Sequence, residues 1–282
     1  MKWSLTDFIE FVGETPSLSP GFYMLQREMA NPNATFESIS AIILREHGLA
    51  LRLLRIANSA MYGFPRHVDT ISDAVQIIGL SQVRDLTMAM TVVDAFRGMP
   101  KEMIDIAMFW KHSVAVAVAA GLLAKERHEP NTERFFLGGL LHDIGRLALY
   151  MKAPSEAMAI LDEARKTGSL EVEVEKRVLG FDHAELGGAL LEKWNLPPNL
   201  VEMTRYHHEP TLSQFTITES SLVHLADFLA NALGIGTSGE AFVPPLSDEG
   251  WQRTHLDENQ LIPILQAMEK QTEEMCRILT TQ

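Results

Sequence analysis

Apolar residues recur at spacings of three and four along almost the whole chain, and no run alternates apolar and polar residues between turn signals. This periodicity is typical of amphipathic helices, because side chains three and four positions apart share one helix face. With 282 residues, 46% of them apolar, the chain can bury a sizeable core. We therefore predict an all-α fold, a multi-helix bundle, in which Thr70 and Asp182 cap helices that begin at Ile71 and His183.

Glycine and proline residues divide the helical pattern into parts. Gly98-Met99-Pro100 is the strongest break. It predicts an N-terminal helical subdomain over residues 1–98 and a second helical subdomain over residues 99–235. Residues 236–282 are predicted to form a flexible stretch and a C-terminal amphipathic helix.

The predicted C-terminal helix has a narrow apolar seam of coiled-coil type. The seam consists of Leu261, Leu265, Met268, Thr272, Met275 and Leu279. It either docks on the chain's own helices or forms a homodimer, and docking is the simpler interpretation because the seam is short.

Charge and cysteine content exclude several classes of protein. The net charge of −13 argues against a nucleic-acid partner, because such surfaces need clustered Lys and Arg; Arg52 and Arg55 are interpreted as the solvated edge of a helix. Cys276 is the only cysteine, which excludes an intramolecular disulfide and a cysteine-based zinc site.

Since there is no leader and no apolar run of ~18 residues, we expect a cytoplasmic chain with no membrane partner.

The apolar segment FLGGLLHDIGRLALY contains His142 and Asp143 side by side. The pattern predicts one helix over Phe135–Tyr150. Two metal-ligand side chains in an apolar stretch are costly unless something pairs with them. A metal ion is one partner, and ordinary hydrogen bonds within the core are the alternative.

Further histidines and an aspartate follow in the order H…HD…H…HH…D. Two ions ~3.5–4 Å apart, held by side chains from several helices, suit such a set. In this interpretation Asp143 bridges one ion held by His112, His142 and Asp227 to another held by His183, His207 and His208. Ligation by N and O atoms alone favours one or two divalent transition-metal ions, namely iron, manganese, nickel or zinc. His224 lies three residues before Asp227 on the same helical face. It either supports the site through hydrogen bonds or is an ordinary partly buried histidine, which is the simpler interpretation.

The ligand order resembles that of the HD superfamily of metal-dependent phosphohydrolases, particularly its HD-GYP branch. In addition, LRLLRIANSAMYGFPRHVDTISDAVQIIGLSQVRDLTMA (Leu51–Ala89) resembles the signature of the HDOD family. This resemblance implies an all-helical regulatory protein of bacterial signal transduction. HDOD domains usually lack several HD metal ligands, whereas every ligand position is filled here.

Two functions follow from the resemblance. The first is a regulatory module with a metal centre, whose partner is another signalling protein. The alternative is a phosphohydrolase acting on a phosphate ester or nucleotide, with Asp143 and Arg146 as catalytic residues and Arg146 neutralising a phosphate oxygen. In the regulatory module the ion site is either structural or senses a ligand, and a phosphate-containing small molecule is one such partner. The segment after His208 lacks the Gly-Tyr-Pro triplet of HD-GYP enzymes, which argues against cleavage of cyclic dinucleotides.

Overall fold

The structure is a computed structural model that describes residues 4–12, 20–29, 31, 33–59, 66–96 and 104–280. Within these ranges the chain is helical and has no strand, so the predicted all-α fold is confirmed. The α-helices are α1 (Leu5–Val12), α2 (Pro20–Met29), α3 (Phe36–Arg45), α4 (His47–Ala57), α5 (Ile71–Ile78), α6 (Leu80–Ala95), α7 (Ile106–Glu126), α8 (Glu133–Leu141), α9 (Ile144–Lys152), α10 (Pro154–Thr167), α11 (Glu171–Leu179), α12 (His183–Lys193), α13 (Pro198–Arg205), α14 (Ile217–Ala232), α15 (Asp248–Thr254) and α16 (Glu258–Thr280).

The chain forms two compact units, one of Met1–Glu14 with Met99–Thr272 and the other of Thr15–Gly98 with Glu273–Gln282. The predicted N-terminal subdomain includes residues 1–14 together with residues 15–98. In the structure, residues 1–14 group instead with residues 99–272. The physical reason is the apolar face of α1, where Phe8 is fully buried with its ring centroid 5.6 Å from that of Phe181. Residues 98–100, where we predicted the break, lie outside the described residues.

The smaller unit contains α2 to α6 and a partly buried ion pair between Arg52 and Asp94. Arg52 is buried in α4, donates from Nη1 to Asp94 Oδ1 at 2.8 Å, and also bonds Asp94 Oδ2 through Nη2. The interpretation of Arg52 as a solvated residue is therefore wrong, whereas Arg55 is exposed. The bidentate geometry of guanidinium and carboxylate allows Arg52 to occupy a buried position.

Helix α7 is the central helix of the larger unit. Its side chains are buried over most of its length, and it packs on α8 and α14. Among the described residues it is the one helix long and apolar enough to cross a membrane, and 67% of its apolar window is buried inside the protein. The side chain of Asp105 caps its start by accepting from the backbone of Ala107 and Met108.

The predicted single helix over Phe135–Tyr150 is wrong, because the chain breaks between α8 and α9 at His142 and Asp143. A Cβ at Gly145 would overlap the carbonyl oxygen of His183, so the backbones of α9 and α12 lie in direct contact. A Cβ at Gly139 would lie 2.7 Å from Ala117 Cα on α7. The break therefore lies where α7, α8, α9 and α12 approach one another.

The paired histidines also lie outside a helix. The apolar pattern predicts a helix over Asn199–His208, but α13 ends at Arg205. His207 and His208 follow it in a turn. Pro210 begins a short 3-10 helix (Pro210–Leu212) directly after the turn, and a proline restrains the residue before it from the helical region.

The apolar seam of α16 is buried within the chain. Met268, Thr272, Met275 and Leu279 are buried, and Leu261 and Leu265 are partly buried. Docking on the chain's own helices is thus confirmed for this seam, and a homodimer stays a prediction that would need another surface.

Candidate metal centre

The predicted ligand residues converge in the larger unit from five parts of the chain: α7, the α8–α9 break, the start of α12, the turn after α13, and α14. His208 is half-buried and the others are buried. Their nitrogen and oxygen atoms form three overlapping groups suited to holding an ion. We name two of these groups the first cluster (His112, His142 and Asp227) and the second cluster (His183, His207 and His208). The third group, His142, Asp143 and His207, takes one histidine from each cluster.

The first cluster is arranged around one carboxylate oxygen. Asp227 Oδ1 lies 3.0 Å from His112 Nε2 and 3.6 Å from His142 Nε2. Asn231, one turn further along α14, donates from Nδ2 to the same oxygen at 2.8 Å and to the Asp227 carbonyl at 3.0 Å. The amide therefore fixes the orientation of the Asp227 carboxylate.

Asp143 lies between the two clusters. Its Oδ1 is 3.1 Å from His183 Nε2 and 3.7 Å from His207 Nε2, and its Oδ2 is 3.3 Å from His142 Nε2. In the second cluster, His208 Nε2 lies 2.8 Å from His183 Nε2. One carboxylate thus presents a separate oxygen to histidines on each side, which is the arrangement that bridging of two ions requires.

The outer nitrogens of the histidines determine which ring atom faces inward. His142 Nδ1 donates to the Gly139 carbonyl at 2.7 Å, and His207 Nδ1 donates to the Thr204 carbonyl at 2.8 Å. Because a carbonyl only accepts, Nδ1 carries the proton, and in the neutral ring Nε2 carries the lone pair.

The Nε2 atoms of His142 and His207 are buried and have no hydrogen-bond partner within the described residues. Leaving such atoms unpaired costs about 1–3 kcal/mol each. A divalent transition-metal ion would satisfy both lone pairs and the neighbouring carboxylates, so the residues present fit such an ion.

The carboxylates make the centre attract positive charge. Burial alone would lower the pKa of His142, but Asp143 and Asp227 outweigh it and raise that pKa to about 10. Burial and positive charge on His142 lower the pKa of His207 to about 3. Burial would raise the pKa of Asp143, but His142 and Arg146 outweigh it and hold that pKa well below its ordinary value. The buried centre therefore favours ionised carboxylates balanced by a cation.

Arg146 is buried and enclosed by carboxylates. Its Nε donates to Asp143 Oδ1 at 3.1 Å, its Nη1 bonds Glu171, and its Nη2 lies 4.0 Å from Glu240 Oε2. These contacts occupy the guanidinium, so they indicate that Arg146 positions Asp143 rather than meeting a phosphate. The catalytic role of Arg146 and of Asp143 stays a prediction.

Sequence reasoning missed several residues that support the centre. Glu175 and Glu171 are four residues apart on the buried face of α11. Two acidic residues on an otherwise apolar helix face are the sequence signal that could have identified them. His224 Nδ1 donates to the carbonyl of His207 at 2.7 Å, and its Nε2 accepts from the Ser247 backbone at 3.0 Å. It therefore fixes the turn that carries the paired histidines, as its interpretation as a supporting residue predicts.

Comparison with protein families identifies the fold. The HDOD domain model matches residues 15–210, well over half of the chain. This chain belongs to the HDOD family. The HDOD match includes all the predicted ligands except Asp227, which lies beyond it.

Solved structures and a curated protein are also similar to this chain. A Shewanella amazonensis SB2B protein, provisionally described as a phosphohydrolase, is 29% identical with a TM-score of 0.74, over 96% of this chain and 97% of that one. An HDOD domain protein of unknown function from Geobacter sulfurreducens has the same TM-score at 22% identity, over 98% and 97% of the two chains, and supports the fold alone. An uncharacterized protein of Treponema pallidum (strain Nichols) is 27% identical over 199 residues, which are 70% of this chain and 38% of that protein. The chain therefore spans well under half the length of this relative.

Proposed function

We propose that this HDOD chain is a regulatory module of bacterial signal transduction that holds a dinuclear centre of divalent transition-metal ions. The observation that carries the proposal is the position of Asp143 between two clusters, each of which has one buried Nε2 atom, that of His142 or of His207, without a hydrogen-bond partner in the described part of the chain. His112, His142, Asp143 and Asp227 would hold one ion, and Asp143, His183, His207 and His208 the other. Iron, manganese, nickel and zinc all accept such ligands.

The regulatory role rests on the HDOD family and on the use of Arg146. In a phosphohydrolase this cation would be available to a phosphate oxygen, but here Asp143, Glu171 and Glu240 surround it. The regulated partner would be another signalling protein, and a phosphate-containing small molecule would act as an effector.

A metal-dependent phosphohydrolase is the second candidate. The complete set of ligands favours it, as does the likeness to the Shewanella protein. When bound, two ions would polarise a water molecule and hold phosphate oxygens. The chain itself would contribute Asp143, which Arg146 keeps ionised and oriented, and His208, which reaches the protein surface.

Metal analysis of protein purified anaerobically without chelator tests the proposal. We expect two transition-metal ions per chain, and a single ion would contradict the dinuclear centre. His112→Ala should remove the ion of the first cluster, and Asp143→Ala should deplete both clusters. His255→Ala, at an exposed residue that follows α15, should leave the metal content unchanged. A wild-type protein free of metal would overturn the proposal.

A phosphodiesterase assay separates the two candidate functions. Metal-loaded protein is incubated with bis-p-nitrophenyl phosphate and the release of p-nitrophenol is followed. No turnover is expected for the regulatory module. Turnover that Asp143→Ala abolishes would favour the phosphohydrolase.

A further inference from the structure

A pocket opens beside the half-buried member of the second cluster. Its volume is about 200 Å³, and His208 forms part of its lining. Since the other members of both clusters are buried, the pocket gives a molecule from solvent a route to the second cluster at His208.

The pocket lining has a charged side and an apolar side. Lys176, Glu173 and Glu209 form the charged side, and Pro244 and Pro245 belong to the apolar side. Lys176 Nζ lies 2.9 Å from Glu209 Oε1 and 3.2 Å from Asp182 Oδ2, and its side chain is 45% exposed. Ion pairs at the surface are weak, so the half-exposed Lys176, unlike the buried Arg146, can also contact an anion in the pocket.

We propose that this pocket binds a small phosphomonoester with a hydroxylated body, such as a sugar phosphate. The proposal rests on the metal centre of the proposed function. The phosphate would lie against His208 and the second cluster, with Lys176 balancing its charge. The hydroxyl groups would donate to Glu173 and Glu209, and the C–H face of the body would pack on Pro244 and Pro245.

The size of the pocket supports a small ligand. Pockets for drug-sized ligands usually have volumes of about 300–1,000 Å³. At about 200 Å³ this pocket is smaller, so it suits the body of a single sugar.

Calorimetric titration of manganese-loaded protein with ribose 5-phosphate and with inorganic phosphate tests the proposal. The sugar phosphate should bind at least about tenfold more tightly than inorganic phosphate, and Lys176→Met should weaken its binding by about tenfold, equivalent to ~1.4 kcal/mol. Lys166→Met, at an exposed lysine near the end of α10, is the matched control and should bind as wild type does. Manganese content is measured on every sample.

A second variant separates the body of the ligand from its phosphate. Pro245 is exposed, so Pro245→Trp fills the pocket without disturbing the core. It should weaken binding of ribose 5-phosphate and leave that of inorganic phosphate within about threefold. Equal weakening of both ligands, or no weakening of either, would overturn the assignment of the sugar to this pocket.

The outcomes also separate this inference from the proposed function. If manganese loads and Lys176→Met binds ribose 5-phosphate as tightly as wild type, the pocket assignment fails alone. If no transition metal loads on the wild type, the proposed function fails and this inference fails with it.

Discussion

Glu175 holds His183 through two hydrogen bonds to one oxygen. Its Oε2 accepts from the His183 backbone N–H at 2.8 Å and from Nδ1 at 2.6 Å, and both residues are buried. The second hydrogen bond places the proton on Nδ1, which leaves Nε2 facing Asp143. Glu175 is thus a positioning residue for the second cluster.

Replacing Glu175 should weaken metal binding without removing a ligand. Glu175→Gln keeps the size of the side chain but loses the charge that orients His183 and makes it more basic. We expect about a 10- to 100-fold loss of metal affinity, measured by competition with a chelator of known affinity. Glu269→Gln, an exposed change in α16, should have no effect. Equal affinity in the Glu175→Gln variant would contradict the role of Glu175.

Removing metal should lower the thermal stability of the larger unit. An ion that binds only the folded state at 100 times its dissociation constant stabilises it by about 2.7 kcal/mol. For a unit of this size we expect a chelator to lower Tm by about 5–10 °C, as measured by calorimetry. Asp143→Asn should abolish most of this response. A wild-type Tm that does not respond to chelator would show that the centre does not link metal binding to folding.

Glu202 should make stability depend on acid pH. Its Oε2 accepts from Ser213 Oγ at 2.6 Å, Thr216 Oγ1 at 3.1 Å and the backbone of Phe215 at 3.1 Å. Burial would raise its pKa, but these hydrogen bonds outweigh it and lower the pKa. Because the folded-state pKa is depressed, the stabilisation is complete above the unfolded pKa and is lost as the pH falls through the folded value.

We therefore expect Glu202→Gln to destabilise the protein by about 1 kcal/mol at neutral pH, and the difference from wild type to shrink below about pH 4. Denaturant unfolding at several pH values measures this difference. A difference that is constant with pH would contradict the account.

Hydrolysis of cyclic di-GMP should be absent or very slow even in metal-loaded protein. Fast turnover requires the phosphorus to be held in line with the attacking group. The segment after the paired histidines, Glu209–Thr216, contains no glycine and is fixed to α13 by Glu202. Chromatography of the linear product checks the prediction. Turnover of ~1 per second or faster, abolished by Asp143→Ala, would show that the chain is an enzyme.

Local signals in the sequence predicted most helices. Thr70 and Asp182 cap α5 and α12 as expected, with side chains that accept from Asp73 and Glu185. α15 was missed because a seven-residue helix is too short to show a period.

The errors arose where tertiary contacts override the local pattern. Apolar periodicity continues through His142 and Asp143, so the sequence carries no local signal for the break there or for the packing of Gly145 on α12. Arg52 was misplaced because its partner, Asp94, is 42 residues away. The order of histidines and aspartates in the sequence predicted which residues converge. It could not predict which oxygen of Asp143 faces each cluster, because that depends on the orientation of the side chain.

The backbone contact at Gly145 has a consequence for which ions the centre accepts. It fixes the distance between the starts of α9 and α12, and therefore between the main chains that carry Asp143 and His183. His208, half-buried in a turn, is the ligand candidate with room to adjust. A larger ion such as calcium, which takes six to eight oxygen ligands at about 2.3–2.6 Å, would have to separate two touching helices. We expect the fold itself to discriminate by ionic radius, in favour of the smaller first-row ions.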